Sequence, residues 1–145
     1  MDLANALSIS ASGLDAQRLR MNVIASNLAN VNSTRTPAGG PYRRRDVVFS
    51  STPPNGTFRD LITQEMEGDL SGVKVTSVIE DMTPFKKVFD PSHPDADPSG
   101  YLLLPNVNVM EEMINMISSS RSYEANITAL NTTKNMAQKA LEIGR

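Results

Sequence analysis

Residues 109–143 read VMEEMINMISSSRSYEANITALNTTKNMAQKALEI, with no Pro and no Gly anywhere in the run. Val109, Met113, Met116, Ser120, Tyr123, Ile127, Leu130, Lys134, Ala137 and Leu141 alternate spacings of four and three. That rhythm keeps them on one helix face, the a/d arrangement of a coiled-coil seam. Only Ser120 and Lys134 interrupt the apolar character. Asn108 stands where an N-cap is needed and Glu111 follows three residues on, the spacing that satisfies orphan amide donors. Pro105 bars the helix from extending backwards. Glu111 and Glu112 in the first turn, with Lys139 and Arg145 near the other end, suit the helix dipole. The stretch therefore predicts one helix about 52 Å long at 1.5 Å per residue.

The opposite end of the chain answers it. Leu7, Leu14, Met21 and Leu28 recur every seven residues, interleaved with Leu3, Ser10, Gln17, Ile24 and Val31. Ala4, Ala6, Ala11, Ala16, Ala25 and Ala29 surround this seam, small enough to admit a close neighbour. Gly13 alone argues against a stiff helix, at a cost of about 1 kcal/mol. Residues 26–34, SNLANVNST, supply the stop. Asn27, Asn30 and Asn32 suit helix ends, where Asn tolerates a left-handed backbone, better than helix interiors.

All nine prolines lie between Pro37 and Pro105, where the period changes. Tyr42–Phe49, Val73–Glu80, Phe85–Phe89 and Tyr101–Leu104 are short runs rich in Val, Ile, Tyr and Phe, bounded by Gly and Pro clusters; they read as strands. Val73 and Val75 share one face while Val78 falls on the other, which predicts a bulge near Ser77. Within 57–68, Phe58, Leu61, Ile62 and Met66 follow a short helical spacing on a long loop spanning 50–68. The expected fold is α+β: two long terminal helices in an antiparallel coiled-coil-like pair, with a small β-rich unit inserted between them and placed at one end. Residues 1–35 and 106–145 are the helical parts of one axial domain, and 36–105 the middle unit.

Little in the sequence points to chemistry. The net charge is -2, and the absence of Cys removes disulfides, thiolate metal sites and Cys nucleophiles together. Arg43, Arg44 and Arg45 would alternate faces on a strand. They read as a solvated edge that discourages stray pairing better than as a nucleic-acid patch. Asp90, His93, Asp95 and Asp97, with prolines interleaved, read as turns, since no EF-hand or HExxH spacing occurs. With a single His and no phosphate-binding glycine loop, no catalytic, metal, cofactor or small-molecule site is expected. No apolar run reaches the ~20 residues of a membrane span, and the first residues lack a secretory signal's basic and apolar regions.

Met110, Ile114 and Ile117, then Met136, Ala140 and Ile143, flank the C-terminal seam. Two helices share only one contact, so a stripe that wide needs further helices from other copies or other proteins. Head-to-tail contacts that do not close would build a helical filament or tube. Such helices would gain most of their order from packing on assembly.

ASNLANVNS, preceded by Leu7, Leu14 and Met21 and followed after a gap by PYRRRDVVF, resembles the N-terminal signature of the bacterial flagellar rod and hook family. LPNVNVMEEMINMISSSRSYEANITALNTTKNMAQKALEIG is similar to that family's C-terminal helix, and DPSHPDADPSGYLLLPNVNV points to its rod members. By position, Ser26, Asn27, Leu28, Ala29, Asn30 and Asn32 match one motif; Arg121, Tyr123, Glu124, Ala125 and Asn126 match the other. The resemblance implies a non-enzymatic structural subunit of the flagellar basal-body rod, located in the periplasm after passage through the flagellar type III export apparatus. Its partners would be other rod proteins and copies of itself. The assembly seam is expected at Leu7, Leu14, Met21, Ile24, Leu28, Val109, Met113, Met116, Tyr123, Ile127, Leu130 and Leu141. STRTPAGGPYRRR departs from the hook-type continuation of the N-terminal motif. The alternative expectation is a soluble coiled-coil adaptor or chaperone-like module that binds partner helices reversibly.

Overall fold

A computed structural model describes residues 3–52 and 71–143; the short helix expected within 57–68 lies outside them, as does most of the 50–68 loop. The elements run α1 (Leu3–Ala29), β1 (Arg45–Thr52), β2 (Gly72–Glu80), β3 (Lys86–Phe89), β4 (Tyr101–Leu104) and α2 (Val109–Ile143). Two long terminal helices thus flank a small antiparallel β unit, as the sequence predicts.

Each helix boundary has a local cause. α1 continues unbroken through Gly13 and stops at the asparagines. No non-glycine among the described residues has a positive φ, so the stop does not use the left-handed Asn the sequence suggests. Instead Asn30 Nδ2 donates to the Ser26 carbonyl at 2.8 Å, and Ser33 Oγ donates to Asn30 Oδ1 at 3.1 Å. The Asn27 and Leu28 carbonyls accept from the backbone amides of Asn30 and Val31, at 3.2 and 3.4 Å, so the last turn tightens without a change of backbone hand. At the start of α2, Asn108 Oδ1 accepts from the Met110 amide at 3.1 Å, the N-cap bond the sequence calls for.

β1 and β2 form one antiparallel ribbon, and β3 and β4 a second. In the first, Val48 pairs with Ser77 and Phe49 with Val75, so Thr76 is the extra residue of a bulge, next to the predicted site. In the second, Phe89 faces Tyr101 edge-on, ring centroids 5.3 Å apart. Phe89 also lies over Gly100, whose φ is 77°; a Cβ there would sit 2.8 Å from the ring.

The β1–β2 ribbon does not sit at the end of the helix pair. It runs back along α1, from Asn27, which holds Arg45, to Ser12, whose Oγ accepts the Val73 amide at 3.1 Å. Gly72 permits that approach, since a Cβ there would come within 3.0 Å of Ser12 Oγ. α2 covers α1 from another side and runs antiparallel to it, with Glu112 beside Asn27 and Asn126 beside Gly13. α1 is therefore the middle layer. Among the described residues the buried apolar side chains are few: Ala16, Ile24, Tyr42, Leu102 and Val107, with Pro105 also enclosed where β4 turns into α2.

Candidate functional site

The core is completed by polar groups. Asn27 is wholly buried, and its amide uses its full hydrogen-bonding capacity. Nδ2 donates to the Arg45 carbonyl and to Glu112 Oε2, both at 2.8 Å. Oδ1 accepts from the Arg45 amide and the Tyr42 hydroxyl, both at 3.0 Å. Only a primary amide offers two donors and two acceptors on so short a stem. One side chain of α1 thereby fastens the start of β1 and the first turn of α2. Ser26 Oγ lies 3.4 Å from the same Tyr42 hydroxyl.

Glu112 is buried as completely, and its second oxygen accepts from Arg44 Nε at 2.8 Å. Arg44 Nη1 also lies 3.3 Å from Asp46 and 3.6 Å from Asp81. Burial pulls the Arg44 guanidinium down, but the hydrogen bond and charge of Glu112, then Asp46, outweigh it and hold it above its ordinary value. Asp81 is held below the usual carboxylate range, chiefly because the Thr83 backbone N–H donates to it, at 2.9 Å. The flanking arginines are engaged too. Arg43 donates to the Asp81 carbonyl at 3.0 Å and stacks over Phe85, and Arg45 lies 3.6 Å from Glu80. Arg43 and Arg44 are thus internal fastenings rather than a solvated edge, while Arg45 keeps an exposed place on β1.

This clasp fixes the phase of α2. The row turned toward α1 is Glu112, Ser119, Asn126 and Thr133, every seventh residue and all polar, of which Glu112 and Ser119 are buried. Val109, Met116, Tyr123, Leu130 and Ala137 beside it are half-buried. Met113, Ile127 and Leu141 of the expected seam lie on the solvent side of it, exposed. The physical reason is that Asn27 and Arg44 satisfy Glu112 only if it points inward, and that turns the other apolar series away. On α1, Ile24 is buried, and Leu7, Leu14, Met21 and Leu28 are half-buried. Of the motif residues, Asn27, Asn30 and Asn126 make internal contacts, while Ala29, Asn32, Arg121, Glu124 and Ala125 are exposed.

α2 consequently carries large uncovered side chains at both ends. Met110, Ile114 and Ile117 are 66, 62 and 56% exposed, and Met136, Leu141 and Ile143 are exposed further along. A shallow groove of about 180 Å³ lies between Ser8–Ser12 of α1 and the ribbon at Thr52, Gly72 and Lys74. In the β3–β4 loop, Asp90 accepts from Ser92, His93 Nδ1 accepts the Asp95 amide, and Asp95 accepts from Thr34. These groups shape turns. Among the described residues no His, Cys, Asp or Glu group of three or more converges as metal ligands would, and no helix is long and apolar enough to cross a membrane.

Tyr42, Arg44 and Glu112 escaped the sequence-based site. A readable signal existed for Glu112: it begins a seven-residue polar series through Ser119, Asn126 and Thr133, which an isolated solvated helix has no reason to keep.

Comparison with known proteins gives a consistent result. Residues 7–35 match the family described as flagella basal body rod protein, and residues 99–143 match the family described as flagellar basal body rod FlgEFG protein C-terminal. Three curated proteins, each named flagellar basal-body rod protein FlgC, are similar throughout. That of Salmonella typhimurium is 46% identical and that of Bacillus subtilis 45%, each over 100% of both chains. That of Borreliella burgdorferi is 44% identical over 99% of this chain and 98% of its own.

Proposed function

The chain belongs to the flagellar basal-body rod protein family and is a structural subunit of that rod, and we propose that its place is the proximal rod, where its terminal helices assemble into a helical tube. The single observation that carries this reading is the uncovered apolar face of α2 around Met110, Met113, Ile114 and Ile117. A monomer gains nothing by exposing such a face, and a subunit packed among other helices buries it. Its partners are other rod proteins and copies of itself, and the role is non-enzymatic. The tube transmits torque and conducts exported subunits. The chain reaches the periplasmic side through the flagellar type III export apparatus. Residues 1–35 and 106–145 act as the assembling part and 36–105 as the unit they carry. The seam with neighbours draws on Met113, Ile127 and Leu141, which the chain's own α1 leaves uncovered, and the half-buried Leu7, Leu14, Met21 and Leu28 flank it.

A photo-crosslinking amino acid at Ile114 or Ile117, in cells whose only copy carries it, tests the reading. The expected adducts join this chain to other rod proteins or to a second copy, and adducts from position 128 on the polar stretch of α2 are few. Adducts only to soluble cytoplasmic proteins, in motile cells, would overturn it.

A further inference from the structure

Gly13 is an odd residue for the middle of a helix, and its surroundings explain it. A Cβ built there would lie 2.9 Å from Asn126 Nδ2, 3.3 Å from Cγ and 3.5 Å from Oδ1. The whole amide of Asn126 therefore lies against the bare backbone of α1. Another close contact between the helices is Asn27 Nδ2 to Glu112 Oε2, at 2.8 Å. Positions 13 and 27 are separated by the same number of residues as 112 and 126, roughly 21 Å of helix. The two contacts are thus matched rungs of one antiparallel register, two heptads apart on both helices.

We infer that Gly13 is a positioning residue: with Asn27 it forms a two-point lock that fixes the register of α2 on α1. Coiled-coil pairs slip most readily by whole heptads, because each slip restores the a/d pattern. Here a slip of one heptad sets Asn126 against Ala6 or Arg20, and either one presents a Cβ where Gly13 has none. It also removes Asn27 from Glu112, leaving a buried carboxylate with half its partners. Ser119 and Thr133, on the same row as Asn126, are too short to discriminate in this way. Register has a consequence for reach. In the observed pairing α2 continues past the described start of α1 with Leu141 and Ile143 exposed, and each heptad of slip moves that end by about 10 Å.

Since the chain has no cysteine, engineered pairs report the register cleanly. Ala6→Cys with Thr133→Cys occupies the next rung of the observed register, and Ala6→Cys with Ala140→Cys reports a one-heptad slip. With a short thiol crosslinker on full-length protein, the first pair should join efficiently and the second hardly at all. Adding Gly13→Ala should cut the first yield several-fold, although Ala is the better helix former. Adding Asn126→Ala to that variant should restore it. If Gly13→Ala leaves the first yield unchanged, Asn126 simply swings aside and the lock does not exist. If the yield falls, or the chain fails to fold, and Asn126→Ala does not restore it, the contact is not what Gly13 serves. The lock is a property of one chain, so these outcomes do not depend on rod membership. Motility of Gly13→Ala cells reads the assembly step separately.

Discussion

Asn27 shows how much one side chain does in a core this small. It makes four hydrogen bonds without exposure to solvent and joins three segments distant in sequence. Asn27→Asp keeps the shape and loses both donors, so a second carboxylate faces Glu112 with no proton between them. Glu112→Ala instead leaves the Arg44 guanidinium beside an empty site. Each substitution is expected to cost about 3–5 kcal/mol in urea unfolding, the usual penalty for breaking a buried ionic contact from one side. Ser119 supplies the contrast. It is buried and its Oγ has no hydrogen-bond partner among the described residues, so Ser119→Ala should be neutral or stabilise by up to about 1 kcal/mol in the same measurement. A loss of more than that would mean the hydroxyl is bonded. Residues of this kind were only partly legible in the sequence. Asn27 stood out in SNLANVNST but read as a helix stop, because composition near a helix end does not reveal what folds back over it.

Periodicity identified both helices at element scale, and the break in alternation near Ser77 located the bulge at Thr76 to within a residue. What it left undetermined was phase. A heptad pattern shows that a face exists, not which neighbour takes it, and α2 carries an apolar series and a polar one side by side. The polar one turned inward because it is chemically paired, which spacing alone does not encode. The place of the β1–β2 ribbon along α1 was equally hidden, since it rests on Ser12, Gly72 and Asn27 meeting across long stretches of chain. The turn after β2 adds a pH dependence. The carboxylate of Asp81 is held low mainly by the Thr83 amide, with Arg44 and Arg43 assisting. A group depressed on folding stabilises above its unfolded value, near 4, and that stabilisation disappears as pH falls through its lower folded value. Stability should therefore decline below about pH 4, and Asp81→Asn should flatten that limb of a stability–pH profile while leaving the neutral region's slope unchanged. An unaltered acid limb in Asp81→Asn would show that other carboxylates carry it.

The whole molecule is layered, with the β1–β2 ribbon and α2 both packed on α1. Its core is held by a polar clasp, while much of its bulk apolar surface faces outward on α2. The arrangement suits a part that is complete only among neighbours. Burying Met110, Ile114 and Ile117 fully would contribute about 1.5–3 kcal/mol each, on the scale for large apolar side chains.

The most direct test of this account is Ile117→Asp, assayed in parallel for the stability of the isolated chain and for basal-body assembly in cells that carry only the variant. Ile117 is 56% exposed, so unfolding free energy should stay within about 1 kcal/mol of the parent. Rods should be missing and the cells non-motile. Normal rods and motility with the variant would contradict the claim that this face is where the subunit joins its neighbours.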